Sequence, residues 1–281
     1  MEWIRQRGCD FEKCVEKSKG VCVIPIGCVE QHGHHLPLGC DTIWGSEFVK
    51  RAAEIEPVTV FPEMYFGEKS GAGEYPGTII FPGEVILSIL EHSCYEIARN
   101  GFKKIVIASS HGGNASIVEH FCRQMLQKKP NFMVYSFGFG LPKVTDILEN
   151  RRDYPYLTAE DWTCLEDLNE QKKIGGHGDF RETGYCYDTC PEDCDLSLMN
   201  KFDGTSCHKF DEFSKHSLKT HFAWMGNFPY SLDGVFHEGM NERIAKAFGQ
   251  WAVTKAADAF RFLKEETISD EYHKLWFAKQ K

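Results

Sequence analysis

The chain has 281 residues, twelve cysteines and a formal net charge of −9, enough length to bury a substantial core as one domain or two, of which one is favoured. An acidic balance with no lysine- or arginine-rich run argues against a nucleic-acid partner and against docking on an anionic membrane. No run of about 18 apolar residues is available to span a bilayer, and Met1 to Asp10 lack the apolar region of an export signal. The expected location is therefore the cytoplasm, with the thiols reduced.

Strand-like and helix-like runs alternate through the first half. The apolar run Val21–Ile26 reads as a buried strand, and Thr42 as the N-cap of a helix over residues 43–55. A short strand over 58–61 precedes the loop 66–77, too polar and glycine-rich for core. A helix over 84–99 is stopped by Asn100 and Gly101, a strand covers Lys104–Ser109, and a helix over 115–128 ends before Pro130. Residues 132–137 are a further strand. This alternation predicts an α/β fold with a mainly parallel sheet covered on both faces, whose ligand-binding loops lie at the carboxyl ends of the strands.

Residues 138–234 are less regular, with a polar helix over 158–173, a glycine-rich turn from Gly175 to Gly178 and an aromatic stretch from His221 to Met225. They read as an elaboration of the single domain 1–281 that walls the site. A long amphipathic helix over 241–265 carries Ile244, Phe248, Trp251, Ala252, Ala256, Ala259 and Leu263 at core spacing.

The densest chemistry follows the first strand. His32, in the run Glu30-Gln31-His32-Gly33, stands nine residues ahead of Asp41 in a loop punctuated by glycine and proline. Imidazole nitrogen and carboxylate oxygen are the ligand set for zinc, manganese or iron, and a carboxylate can bridge two ions. Asp41 suits that bridging role. His34 and His35 read as solvated or hydrogen-bonded side chains. Ser109-Ser110-His111-Gly112-Gly113-Asn114 brings His111 to the same edge, and His177 lies just before a helix bearing Glu182. Positions five apart do not share a helical face, so these two meet in one site only if His177 sits on the preceding turn. Cys186, Cys190 and Cys194 are spaced to share a helical face, but no Cys-x-x-Cys pair accompanies them. Packing against neighbouring helices is the favoured reading over a structural zinc.

Three motifs together resemble the creatininase (creatinine amidohydrolase) family: Pro-Ile-Gly-x-x-Glu-Gln-His-Gly-x-His-Leu-Pro-Leu-Gly-x-Asp over residues 25–41, His-Gly-Gly-Asn over 111–114, and His-x-x-x-x-Glu-Thr over 177–183. The resemblance implies a three-layer α/β sandwich, one or two divalent ions per subunit (zinc, manganese or iron), hydrolysis of carbon–nitrogen bonds in small cyclic or linear amides, and a homohexamer. It makes Glu30, His32, Asp41 and His111 metal ligands and His177 a proton shuttle. One position departs: creatininase has a glutamate two residues after the histidine matched by His111, where this chain has Gly113. Relatives with His-Gly-Gly-Asn use the glutamate of the third motif, here Glu182.

The expected chemistry is attack on a carbonyl by water made acidic on the metal, with His177 protonating the leaving group. Glu74 and Asn114 are the expected substrate contacts, and Glu68 and Arg181 are further polar candidates. Many relatives have a histidine three residues before the Pro-Gly of the substrate loop, where this chain has Gly73, which argues against creatinine itself. The family also contains formamide hydrolases, a peptide-trimming member and hydrolases that open cyclic polyol diketones by carbon–carbon cleavage. The last are the main rival.

Overall fold

The computed structural model describes residues 1–69, 71–171, 175, 177–202, 204–229, 231–234 and 238–279. The expected helix end at Lys173, Gly176 in the glycine turn and the ring of Trp224 lie outside the described residues.

Strands β1 (Val21–Ile26), β2 (Thr59–Val60), β3 (Lys104–Ser109) and β4 (Met133–Gly138) form an all-parallel sheet in the order β2-β1-β3-β4. In chain order the helices are α1 (Phe11–Lys17), α2 (Cys40–Ile55), α3 (Gly83–Arg99), α4 (Asn114–Lys128), α5 (Val144–Glu149), α6 (Ala159–Gln171), α7 (Phe180–Thr189), α8 (Asp211–Lys215), α9 (Glu242–Glu265) and α10 (Ile268–Lys279). Successive strand side chains point to opposite faces, and both faces are covered. Val21, Val23, Val106 and Ala108 join a core with residues of α2, α7 and α9, while Cys22, Ile24, Ile26, Ile105 and Ile107 join one with residues of α3 and α4. That is the three-layer α/β arrangement the sequence predicts.

Several boundaries differ from the sequence reading, each for a local reason. Helix α2 starts at Cys40, with Gly39 at its N-cap; Thr42 does not cap it, because its hydroxyl donates to the Cys28 carbonyl at 2.9 Å. Asp41 therefore sits in the first turn. Asn241 does cap α9, accepting from Arg243 and Ile244. The loop 66–77 is not wholly solvated, since Lys69 and Ala72 are buried. Within 138–234, Phe139, Ile147, Leu165, Leu168, Phe180 and Tyr185 are core residues, so much of that segment completes the layer over α2 and α9. In α9, Trp251 and Ala259 are half-buried, and Phe260 completes the buried stripe. Among the described residues, no helix is long and apolar enough to cross a membrane.

The contact of α7 with α9 turns on a small-to-large fit. Gly184 faces Phe248, and a Cβ at Gly184 would stand 2.6 Å from that ring. Phe248 is fully buried and meets Phe180 edge to face at 6.1 Å. Phe248→Ala is expected to destabilise the protein by about 3–5 kcal/mol through lost transfer energy and a residual cavity; denaturant unfolding followed by circular dichroism measures it.

Candidate metal centre

Because the strands are parallel, β1 and β3 release their chains at the same edge, and the register that pairs Ile26 with Ser109 sets their following loops side by side. Glu30 and His32 lie on the first loop, Asp41 on the opening turn of α2 and His111 on the second loop. His177 lies on the turn that leads into α7, and Glu182 in the helix's first turn. The condition for those two to share a site is met: both line one cavity of about 470 Å³ with Asp41, His111, Glu68 and Lys69.

Asp41 is the hinge of the arrangement. Its Oδ1 lies 3.2 Å from His32 Nε2 and its Oδ2 2.8 Å from His111 Nδ1. Glu30 Oε1 lies 3.1 Å from the same His111 nitrogen and 3.5 Å from His177 Nε2. The His32 and His177 rings pack with centroids 4.0 Å apart. His32 Nε2 is buried and, among the described residues, has no hydrogen-bond partner of acceptable geometry, although it faces a carboxylate. A nitrogen and an oxygen so disposed are what a divalent ion joins, and the donor set of imidazole and carboxylate suits zinc, manganese or iron.

Burial alone would raise both carboxyl pKa values, but His111, His177 and His32 outweigh it at Glu30, and His32 and His111 at Asp41, leaving both well below the usual carboxylate range. Burial depresses His32 and His111, yet the Asp41 carboxylate beside each more than reverses this, to about 10 and about 9. His177 goes the other way. Burial and then the neighbouring His32 charge lower it to about 3, so it is neutral near pH 7. Burial raises Glu182 to about 7. Its carboxylate accepts from the Gly178 amide at 2.5 Å and faces the same cavity.

Two participants went unnoticed in the sequence. The Cys28 thiol lies 3.4 Å from both Glu30 Oε1 and Asp41 Oδ2. Burial, then the two carboxylates, push its pKa well up, so it is a neutral donor. Its place at i−2 from Glu30 was the only available hint. Lys69, from a loop read as solvated, is buried with its ammonium ion-paired to Glu30 Oε2. It puts positive charge where the carboxylate requires it.

The expected substrate contacts fall differently. Asn114 is fully buried; its amide nitrogen donates to the Ile26 and Gly27 carbonyls at 3.4 and 3.3 Å, and its oxygen accepts from the Glu68 amide at 2.7 Å. It staples three loops together. Glu74 is exposed and is not part of the cavity wall, and Arg181 is paired with Asp179. His34 bonds Asp233 and His35 bonds Thr183, and neither belongs to the groups of clustered ligand atoms among the described residues.

Two glycines are required by close approach. A Cβ at Gly113 would stand 2.5 Å from His111 Nε2, so a glutamate cannot enter there without moving the imidazole. Gly178 combines a φ of +69° with a Cβ position 2.8 Å from the His32 carbonyl carbon, which lets the turn before α7 lie directly on the His32 backbone. The Asp179 carboxylate caps α7 by accepting from the Arg181 and Glu182 amides.

A parallel α/β sandwich with buried carboxylates and imidazoles converging at the carboxyl edge of its sheet defines an α/β protein with a candidate metal centre of three overlapping ligand groups among the described residues. The chain belongs to the creatininase family (creatinine amidohydrolase), whose sequence pattern matches residues 6–261. It is 29% identical over 114 residues to the creatinine amidohydrolase of Pseudomonas putida, covering 39% of this chain and 44% of that protein. It is 34% identical over 103 residues to the mycofactocin precursor peptide peptidase of Mycolicibacterium smegmatis, covering 33% and 39%. These alignments span less than half the length of either relative. A solved structure described as "Creatininase Mn" superposes with a TM-score of 0.70 at 20% identity, over 94% of this chain and 99% of that one.

The charge arrangement has a pH signature. In metal-free protein, His32 and His111 carry folded-state pKa values above the ordinary value of about 6.5. Their stabilising contribution is full below that pH and is lost as pH rises through about 9 and about 10. The melting temperature of chelated protein is expected to fall across that window, and to fall less in Asp41→Asn, whose imidazoles lose their partner. Added divalent ion should flatten the curve, since ligation displaces the same protons. A melting temperature that rises as pH passes through about 9 and about 10 would contradict this electrostatic reading.

Proposed function

We propose that this protein is a metal-dependent hydrolase acting on a carbon–nitrogen bond of a small cyclic or linear amide. The observation that carries the reading is the Asp41 carboxylate, with one oxygen on His32 and the other on His111, the disposition of a carboxylate shared by two ions. Glu30, His32, Asp41 and His111 would hold them. Glu182 would complete the set, because Gly113 leaves no room for a carboxylate on the His111 loop and Glu182 faces the same cavity from the opposite wall. Zinc, manganese and iron fit these donors, and a related solved structure names manganese. Such ions, when bound, supply Lewis acidity and lower the pKa of water.

The chain's own residues handle orientation and protons. Ionised Glu30 and Asp41 fix the imidazoles, and the Cys28 thiol holds the two carboxylates together. Neutral His177, 3.5 Å from Glu30, can accept a proton from the attacking water and deliver it to the departing nitrogen. That delivery matters because an amine anion is too poor a leaving group to depart unprotonated. His177 thus serves as base first and acid second. Glu68, Lys69 and His221 line the cavity and are the polar groups placed to meet a substrate.

Purified protein loaded with manganese or zinc should hydrolyse an amide from a panel of creatinine, formamidopyrimidines and a cyclic polyol diketone, and lose that activity on chelation. Turnover of the diketone alone would replace amide hydrolysis with carbon–carbon cleavage. Asp41→Ala is expected to lose most bound metal. His177→Asn should lower turnover by roughly two to four orders of magnitude with metal content near normal; loss of metal instead would make His177 a ligand. Glu182→Gln should retain less metal than the parent after dialysis, measured by plasma emission, and full retention would remove Glu182 from the ligand set.

A further inference from the structure

Behind the carboxylate cluster, at the far end of α7, three thiols converge. Cys186 lies in the last turn of α7 and Cys190 is its C-cap, one helical turn on. Pro191 to Asp193 then form a 3-10 turn whose backbone bond, from the Cys194 amide to the Pro191 carbonyl at 3.2 Å, folds Cys194 back. The sulfurs of Cys186, Cys190 and Cys194 all lie within 4.8 Å of one another, with Cys186 and Cys190 at 3.4 Å. Cys40, the first residue of α2, is fully buried, and its thiol lies within 4.8 Å of ligand atoms of His32 and Asp41, between the carboxylate–imidazole centre and Cys186. All four are free thiols.

Packing alone does not require this convergence, because a buried cysteine behaves as a small apolar group and has no need of other sulfurs. A tetrahedral zinc ion does. With zinc–sulfur bonds of about 2.3 Å, its thiolates stand about 3.8 Å apart, inside the range seen here. An iron–sulfur cluster, whose cysteines bind separate irons, needs wider spacing, and a soft thiolate set excludes magnesium and calcium.

We propose that Cys186, Cys190 and Cys194 form a second metal site for a single zinc-class ion, structural in role and adjoining the carboxylate–imidazole centre on its Cys40 side. The ion would pin the end of α7, the helix that carries Glu182, to the 3-10 turn that follows it. Binding releases the thiol protons to solvent and changes no oxidation state.

Cobalt(II) is the probe, because thiolate ligation gives an intense near-ultraviolet charge-transfer band that nitrogen and oxygen ligands do not. Reduced protein loaded with cobalt should show the band, retain it in Asp41→Ala, and lose it in Cys190→Ser and Cys194→Ser. The same two variants, purified with zinc, should each hold one ion fewer per chain than the parent. Cys194 is only half-buried, so Cys194→Ser should keep the parental circular dichroism and guards against a trivial loss of fold. No band in folded, reduced parent protein overturns the proposal. So does a band unchanged in both serine variants, or a Cys186–Cys190 disulfide found by mass spectrometry in protein prepared under reductant.

Discussion

Two ionised carboxylates buried side by side are the demand around which the rest of this molecule is arranged. Glu30 is completely buried and Asp41 nearly so, and an unpaired charge in such surroundings is costly. His111 stands between the two carboxylates, His32 takes the outer oxygen of Asp41 and Lys69 the outer oxygen of Glu30. Asp41 also lies in the first turn of α2, where the helix dipole favours negative charge. Divalent ions answer the same demand with more charge in less space. The strongly displaced imidazole and carboxylate pKa values are consequences of that crowding.

The parallel sheet meets the demand geometrically. Pairing of β1 with β3 puts the Glu30 and His111 loops in contact, and Asn114 locks both to the Glu68 backbone. The opposite wall comes from α7, which is packed on α2 and α9 through Gly184 and Phe248. Its first turn is set by the Asp179 cap and by the close approach of Gly178 to His32. Gly113 keeps the loop beside His111 closed to side chains, and the Glu182 carboxylate faces the cavity from α7.

Periodicity and turn chemistry carried the fold a long way. The runs Val21–Ile26 and Lys104–Ser109 are bounded in the sequence as they are in the structure, because a strand buried on both faces is apolar throughout and ends where glycine or polar residues begin. Residues 138–234 were harder to read. Their buried positions are scattered among short helices and turns, where hydrophobic spacing has too few repeats to show a face. Asn114 shows a different limit: its residue type suits substrate binding and loop stapling equally, and only the three backbone groups around it decide between them.

What the sequence by itself determined was the α/β alternation and the carboxylate and imidazole residue types of the candidate metal centre, because local backbone preference and side-chain chemistry are properties of short segments. Only the tertiary structure decided that Asp41 faces two imidazoles, that Lys69 and Cys28 belong to the charge cluster, and that Cys40 meets Cys186. Each of these depends on distances between segments far apart in the chain and on the burial that gives those distances their energetic weight.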